Sequence, residues 1–427
     1  MLSFIHLSDI HFRTFSGDPF DIDEDLRSEL IYDISHNLTK EISSIDGILV
    51  CGDIAFSGQA IEYKVAIEFL ERICDLLKIE KSHIFCVPGN HDVDQNITRS
   101  SASVKALQDK LEQTKNSTEF DWQLSEMFRN TQDSSVLYSP ITCYNEKFAT
   151  MYGCSLAPNR PIWKQEMDFE GNYKLCIVGI NSTIISNHED HRDNGGEKLM
   201  RIGEIQIPSR KENTIFLSLC HHPPECWEDP ERRLALKINN RIAIQLYGHK
   251  HEQAIECYKN ALLIKSGATH PSRFEEGWIP RYNWICLKID KVDSCDVLTV
   301  RIYPRVLDKT SSKFEPDTSI PDGKEYIEYS LPLSECMNLD NATPPEVMPE
   351  QSVLSVSSWE RSFIYDFMSL PFLCRERILK KFALEKPKDE GKKHTELLEE
   401  IISRAKESGC EAQLVEEVRI QKEGLRQ

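Results

Sequence analysis

The chain has 427 residues, 40% hydrophobic and 28% charged, a composition that excludes a disordered or fibrous protein. Its length exceeds the roughly 250 to 300 residues at which a single core stops growing, so a second, smaller unit is expected. A formal net charge of −18 disfavours long polyanions such as duplex DNA, because nucleic-acid binders neutralise phosphates with a basic face.

In chain order, the apolar segment Ser3 to Leu7 stops at Ser8, Asp9 and His11, as a buried strand does when it delivers polar side chains at its end. Leu26, Leu30, Ile34, Leu38 and Ile42 recur every four residues and predict a helix. A strand from Gly47 to Cys51 stops at Gly52-Asp53. A helix from about Ile61 to Leu77 follows, with Ala66, Phe69, Leu70, Ile73 and Leu77 on one face, and then a strand from Ile84 to Val87 that stops at Pro88-Gly89-Asn90-His91-Asp92. This alternation is that of an α/β domain, in which reactive groups gather beyond the strand ends.

From 93 to about 165 the rhythm gives way to polar, irregular sequence, read as a partly helical insertion that could cover the site. Strands resume at Tyr173–Ile180, Thr214–Leu219, Ile242–Tyr247, Ala254–Tyr258, Trp284–Ile289 and Leu298–Tyr303, so the first domain is expected to span 1–305. Residues 306–358 are rich in Pro, Ser, Asp and Glu and read as a linker, with one strand near Tyr326 to Leu331. From Trp359 to Gln427 apolar clusters recur at helical spacing, with 14 Lys and Arg against 14 Asp and Glu; this is a small, charge-balanced all-helical bundle. Fourteen cysteines stand singly in segments such as IFCVPG and LSLCHH, without a CxxC pair, and read as reduced and buried. No leader or membrane span is evident, so a cytoplasmic protein is expected.

Chemistry concentrates at the strand tips. In an extended Asp9-x-His11 the two side chains share a face and can bind one ion. Gly52-Asp53, Gly89-Asn90-His91-Asp92, His221-His222-Pro223-Pro224 and Gly248-His249-Lys250-His251 add oxygen and imidazole donors suited to divalent cations. His222 lines the site or backs its strand. Lys250 reads as solvated, and His188 and His191 as surface-loop residues. Asn181 serves a turn or hydrogen-bonds near the site.

The strings FIHLSDIHF, LVCGDIAFSG, VPGNHD, LCHHPP and YGHKHE resemble, in order and spacing, the metal-binding blocks of the calcineurin-like metallophosphoesterases. The HHPP and GHxH forms look most like the cyclic-nucleotide and glycerophosphodiester phosphodiesterases. The resemblance implies a four-layer αββα sandwich with two divalent ions, of manganese, iron, zinc or nickel. Asp9, His11 and His251 would hold one ion, Asn90, His221 and His249 the other, and Asp53 would bridge them. It further implies phosphoester hydrolysis by a hydroxide between the ions, with His91 as general acid and Asp92 holding the His91 imidazole in one tautomer.

A small phosphodiester or cyclic nucleotide is the expected substrate. A metal-dependent nuclease is the alternative, and a metal-bound scaffold is a third reading that the intact ligand set opposes. The tail from FIYDFMSLPFLCRERILKKFAL onward looks like the small death-like effector-associated helical domains. That implies recruitment to a protein partner; the other reading is a bundle that packs on the catalytic domain.

Overall fold

The structure, a computed structural model, describes residues 1–13, 23–190, 198–271, 279–293, 295–320, 323–333, 355–356, 358–386, 389 and 394–424. Its first sheet begins with β1 (Leu2–Leu7), β2 (Gly47–Cys51) and β3 (Ile84–Val87), short apolar strands buried on both faces and paired in parallel, Ile5 with Ile48 and Ile48 with Ile84. Between them run α1 (Glu24–Asp33), a wider-wound stretch at Ile34–Leu38, α2 (Thr39–Glu41) and α3 (Ala60–Leu77). All five apolar residues of the predicted first helix are buried, although the helix ends at Glu41 and Ile42 is already extended. At the start of α3 the Glu62 carboxylate accepts the amides of Ser57 and Gln59, a reciprocal cap that fixes where the helix begins.

The predicted insertion is more regular than its composition suggests. It forms α4 (Gln95–Ser100), α5 (Ala102–Glu112), α6 (Ser117–Arg129), α7 (Thr131–Leu137) and α8 (Thr142–Lys147). The side chains of Asp94, Ser101, Asn116 and Asn130 cap the first four, so the polar residues that read as irregular are helix punctuation. Its second half is part of the core: Tyr144, Phe148 and Tyr152 are fully buried, and the Tyr144 hydroxyl lies 3.4 Å from Cys86 Sγ.

The second sheet comprises β4 (Ile162–Asp168), β5 (Lys174–Ile180), β6 (Thr214–Leu219), β7 (Ile244–Tyr247), β8 (Gln253–Cys257) and β9 (Leu262–Ser266), with α9 (Arg233–Asn239) between β6 and β7. Strands β5, β6, β7 and β9 are parallel. The sheets face one another through a shared core, β2 against β6 and β3 against β5, with helices around them. This is the expected sandwich.

The first sheet continues past Arg305. Strands β10 (Arg281–Val292) and β11 (Cys295–Asp308) form a long antiparallel pair on β1, and β12 (Lys313–Pro316) and β13 (Ile327–Pro332) flank β11. The expected linker over 306–358 is therefore sheet in part. Pro316 and Pro332 close these edge strands, where a missing amide costs no ladder bond. Arg305 itself is buried, with Nε donating to Asp33 Oδ2 at 2.9 Å and its guanidinium over Trp284, and so ties β11 to α1.

The strand β14 (Ser355–Val356) pairs with β4 and leads into α10 (Ser358–Ser369), α11 (Phe372–Lys381), α12 (His394–Ser408) and α13 (Glu411–Gly424). These helices have their own core around Phe363, Phe367, Leu379, Ile401 and Leu414. They also dock on the sandwich. Tyr365 stacks on Tyr152 and donates to Glu71 at 2.8 Å, and the Arg361 guanidinium is buried 4.9 Å from the Phe85 ring. Because Tyr365 belongs to both units, Tyr365→Ala is expected to lower stability by about 3 kcal/mol in urea unfolding, the scale of losing a buried aromatic. An early transition of the tail alone, with the main midpoint unmoved, would show that the contact carries no coupling.

Candidate metal centre

Strands β1, β2 and β3 are parallel, as are β6 and β7, so the carboxyl ends of each set lie at one edge and bring their tips together. Asp9 and His11 follow β1, Asp53 follows β2, Asn90 follows β3, His221 follows β6, and His249 and His251 follow β7. The backbone bends sharply at these tips. Asp9, His11, Asp53, His249 and His251 all have positive φ, between 50° and 70°. Such a conformation costs a non-glycine residue roughly 1–2 kcal/mol, which marks a site whose geometry the surrounding fold imposes.

Asp53 is central. Its Oδ2 lies 3.3 Å from His11 Nε2 and 3.4 Å from His221 Nε2, while Oδ1 accepts the His91 amide at 2.8 Å. Asn90 Oδ1 lies 3.0 Å from both His221 Nε2 and His249 Nδ1. Asp9 accepts from the Ser8 hydroxyl at 2.5 Å and the His249 amide, and its Oδ1 is 3.5 Å from His251 Nε2.

Backbone carbonyls orient the rings. His221 Nδ1 lies 2.8 Å from Cys51 O and His11 Nδ1 3.4 Å from His270 O, so each carries its proton there and turns Nε2 inward. Donors of Asp9, His11 and His251 cluster within 4.8 Å of one another, as do those of His221, His222 and His249. The set fits divalent cations, since two neighbouring ligands of an ion bound at about 2.1 Å lie about 3 Å apart, close to the spacings found here.

Charge balance points the same way. Burial works against ionising Asp9, but His251 and His221 outweigh it and hold its pKa near 2. Burial likewise opposes protonation of His221, yet Asp53 and Asp9 lift it to about 9. Desolvation, reinforced by His249 and His221, drives His222 well below the usual range and keeps it neutral.

The calcineurin-like phosphoesterase profile matches residues 2–253, more than half of the chain and all seven of these tip residues. The chain belongs to the calcineurin-like phosphoesterase family. An uncharacterized metallophosphoesterase-like protein, YydB of Bacillus subtilis (strain 168), is 24% identical over 264 residues, 60% of this chain and 50% of that protein, so the chain spans about half the length of this relative. Among solved structures, zinc-complexed Vps29 from Entamoeba histolytica aligns with 77% of this chain and 99% of its own at 11% identity and a TM-score of 0.31. The 5′-nucleotidase of Candida albicans SC5314 aligns with 73% of this chain and 52% of its own at 12% identity and a TM-score of 0.35. Among the described residues no helix is long and apolar enough to cross a membrane.

In this calcineurin-like phosphoesterase the expected partner of His91 is replaced. Phe56 O, not Asp92, lies 2.8 Å from His91 Nδ1. The Asp92 carboxylate accepts instead from the amides of Ile54, Ala55 and Gly89 and from the Tyr63 hydroxyl, bracing the Asp53 loop against the Asn90 loop. Burial, then Asp53, raises its pKa to about 6.

Asn181 makes a turn, its Oδ1 accepting from Thr183 N and Oγ1. His188 sits against Thr98 and Glu189, away from the donor clusters. Lys250 is half-buried, and His191 lies outside the described residues. Local sequence carries no signature of the Phe56 and His270 carbonyls or of Ser182, whose hydroxyl lies 2.8 Å from His222 Nδ1.

Gly248 allows the closest approach in the site. A Cβ there would meet Ser8 Oγ at 1.8 Å and Asp9 Oδ2 at 2.7 Å. Gly248→Ala is therefore expected to displace Asp9 and lower metal content by at least one ion per chain, with far-UV circular dichroism unchanged. Full metal content in that variant would contradict the assignment of Asp9 as a ligand.

Proposed function

We propose that the protein hydrolyses a small phosphodiester, a nucleotide or cyclic nucleotide, at two divalent ions. Asp9, His11 and His251 hold one, Asn90, His221 and His249 the other, and Asp53 lies between. The observation that carries this reading is the placement of Asp53 Oδ2 within 3.4 Å of an imidazole nitrogen from each set. When bound, the ions supply water activation and neutralise charge on the phosphoryl oxygens. Manganese, iron, zinc and nickel all suit this oxygen and nitrogen set.

His91 is the proton donor to the departing oxygen. Its amide is fixed by Asp53 and its Nδ1 proton is held by Phe56 O, so the departing oxygen would take the Nε2 proton of the doubly protonated ring, which stands 4.8 Å from the ring of His11. Asp92 acts through the loop it braces and has no contact with the His91 ring nitrogens. The net charge of −18 supports a small substrate over a polynucleotide.

In the same reading the helical tail recruits a protein partner. What supports this is an apolar edge on α11, where Phe372 and Leu373 are 61% and 70% exposed.

Asp53→Asn is expected to bind fewer than two ions and to lose most hydrolysis of bis-p-nitrophenyl phosphate with manganese. Full turnover by a metal-replete Asp53→Asn protein would sink the two-ion reading. His91→Ala should keep both ions and slow hydrolysis by roughly 10²- to 10⁴-fold, less on a p-nitrophenolate leaving group than on an alkoxide. Equal losses on the two substrates would contradict a proton-donor role. Turnover of single-stranded DNA that falls steeply with added salt would favour a nuclease instead.

A further inference from the structure

Among the described residues of the donor clusters, His222 is a histidine to which neither the ligand assignment nor the proton-donor role gives a place. Consecutive residues of an extended chain point to opposite faces, so a neighbour of His221 would ordinarily turn away from it. Here it does not. The ring centroids of His221 and His222 are 4.8 Å apart, and that of His222 lies 4.4 Å from His249, nearer than the 5.2 Å between His221 and His249.

Every other polar group of His222 is occupied. Its amide donates to Ser182 Oγ at 3.2 Å, its Nδ1 lies 2.8 Å from the same oxygen, and its carbonyl accepts from Trp227 Nε1 at 2.8 Å. The residue is 1% exposed, and Nε2 is a buried nitrogen without a hydrogen-bond partner among the described residues. An unsatisfied polar atom at such depth is costly, and a native fold rarely keeps one without a purpose.

We propose that His222 Nε2 is a further ligand of the ion assigned to Asn90, His221 and His249, with Ser182 holding the ring in place. This rests on the two-ion reading above. It gives the two positions different character, because one then has two imidazoles with the carboxylates of Asp9 and Asp53, and the other three imidazoles with Asn90 and Asp53. Nitrogen-rich donor sets suit zinc, iron and nickel better than magnesium or calcium, so the second position should select the softer cation.

The test is calorimetric titration of the metal-free, full-length protein with Zn²⁺, alongside the absorption spectrum of the Co²⁺-loaded form. His222→Asn reaches as far as Nδ1 and can keep the Ser182 bond, but has no atom at Nε2. It should leave one ion bound as in wild type, weaken the other at least about 10-fold, and shift the Co²⁺ bands. His222→Gln, whose amide oxygen approximates Nε2, should recover part of the affinity. Ser182→Ala should weaken the same ion by about 10- to 100-fold, as loss of an orienting partner does.

Two ions bound by His222→Asn with wild-type affinity and an unchanged Co²⁺ spectrum would overturn the proposal while leaving the two-ion reading intact. Uptake of a single ion by wild type would overturn that reading, and the same comparison of variants would then decide His222 on that ion.

Discussion

Two carboxylates withdrawn from water, Asp9 and Asp53, set the terms for the rest of this structure. They are 0% and 2% exposed, and a buried anion without a counter-charge is too costly to persist. His221, at the end of a second-sheet strand, supplies part of that counter-charge. The raised pKa of His221 beside Asp53 and Asp9 shows that the pocket draws positive charge to itself before any cation is considered. A divalent ion is the more complete answer to the same demand, since it neutralises the carboxylates and leaves the imidazoles uncharged.

Meeting that demand joins the two sheets. Donors from β1, β2 and β3 must touch donors from β6 and β7, and the contacts are backbone as much as side chain. His221 reaches across to Cys51 O and the His249 amide to Asp9. The site is thus a fastening between the halves of the sandwich as well as a place for chemistry. The tail extends the arrangement, since Arg361 rests on Phe85, five residues before Asn90, and α10 thereby packs on the strand that carries a donor to the centre.

The strand ends were the most legible part of the sequence, because each apolar run stops abruptly at a donor, three of them through a glycine. The strands away from the centre were harder to read. In β4, IWKQEMD interleaves polar residues at the end of a polar stretch, and β9, LLIKS, follows β8 too closely to stand out. Strand β12 is four residues ending in proline, and looked like linker for that reason. Within the site, the donors are named by their tips, whereas their orientation depends on carbonyls and hydroxyls from distant segments. Phe56 O on His91, His270 O on His11 and Ser182 on His222 are products of the fold, and no local pattern announces them. The expectation about Asp92 went astray on this point, because adjacency in sequence stood in for contact.

The left-handed backbone at Asp9, His11, Asp53, His249 and His251 limits which amino acids this pocket can use at all. Coordination chemistry alone would accept glutamate or glutamine wherever it accepts aspartate or asparagine. Among residues with side chains, Asp, Asn and His are those that most readily adopt positive φ. The vocabulary of the pocket is therefore narrowed twice, once by what a cation will bind and once by what the chain can bend around. Exchanges that preserve the donor atom but lengthen the side chain would conflict with the turn before they reached the metal.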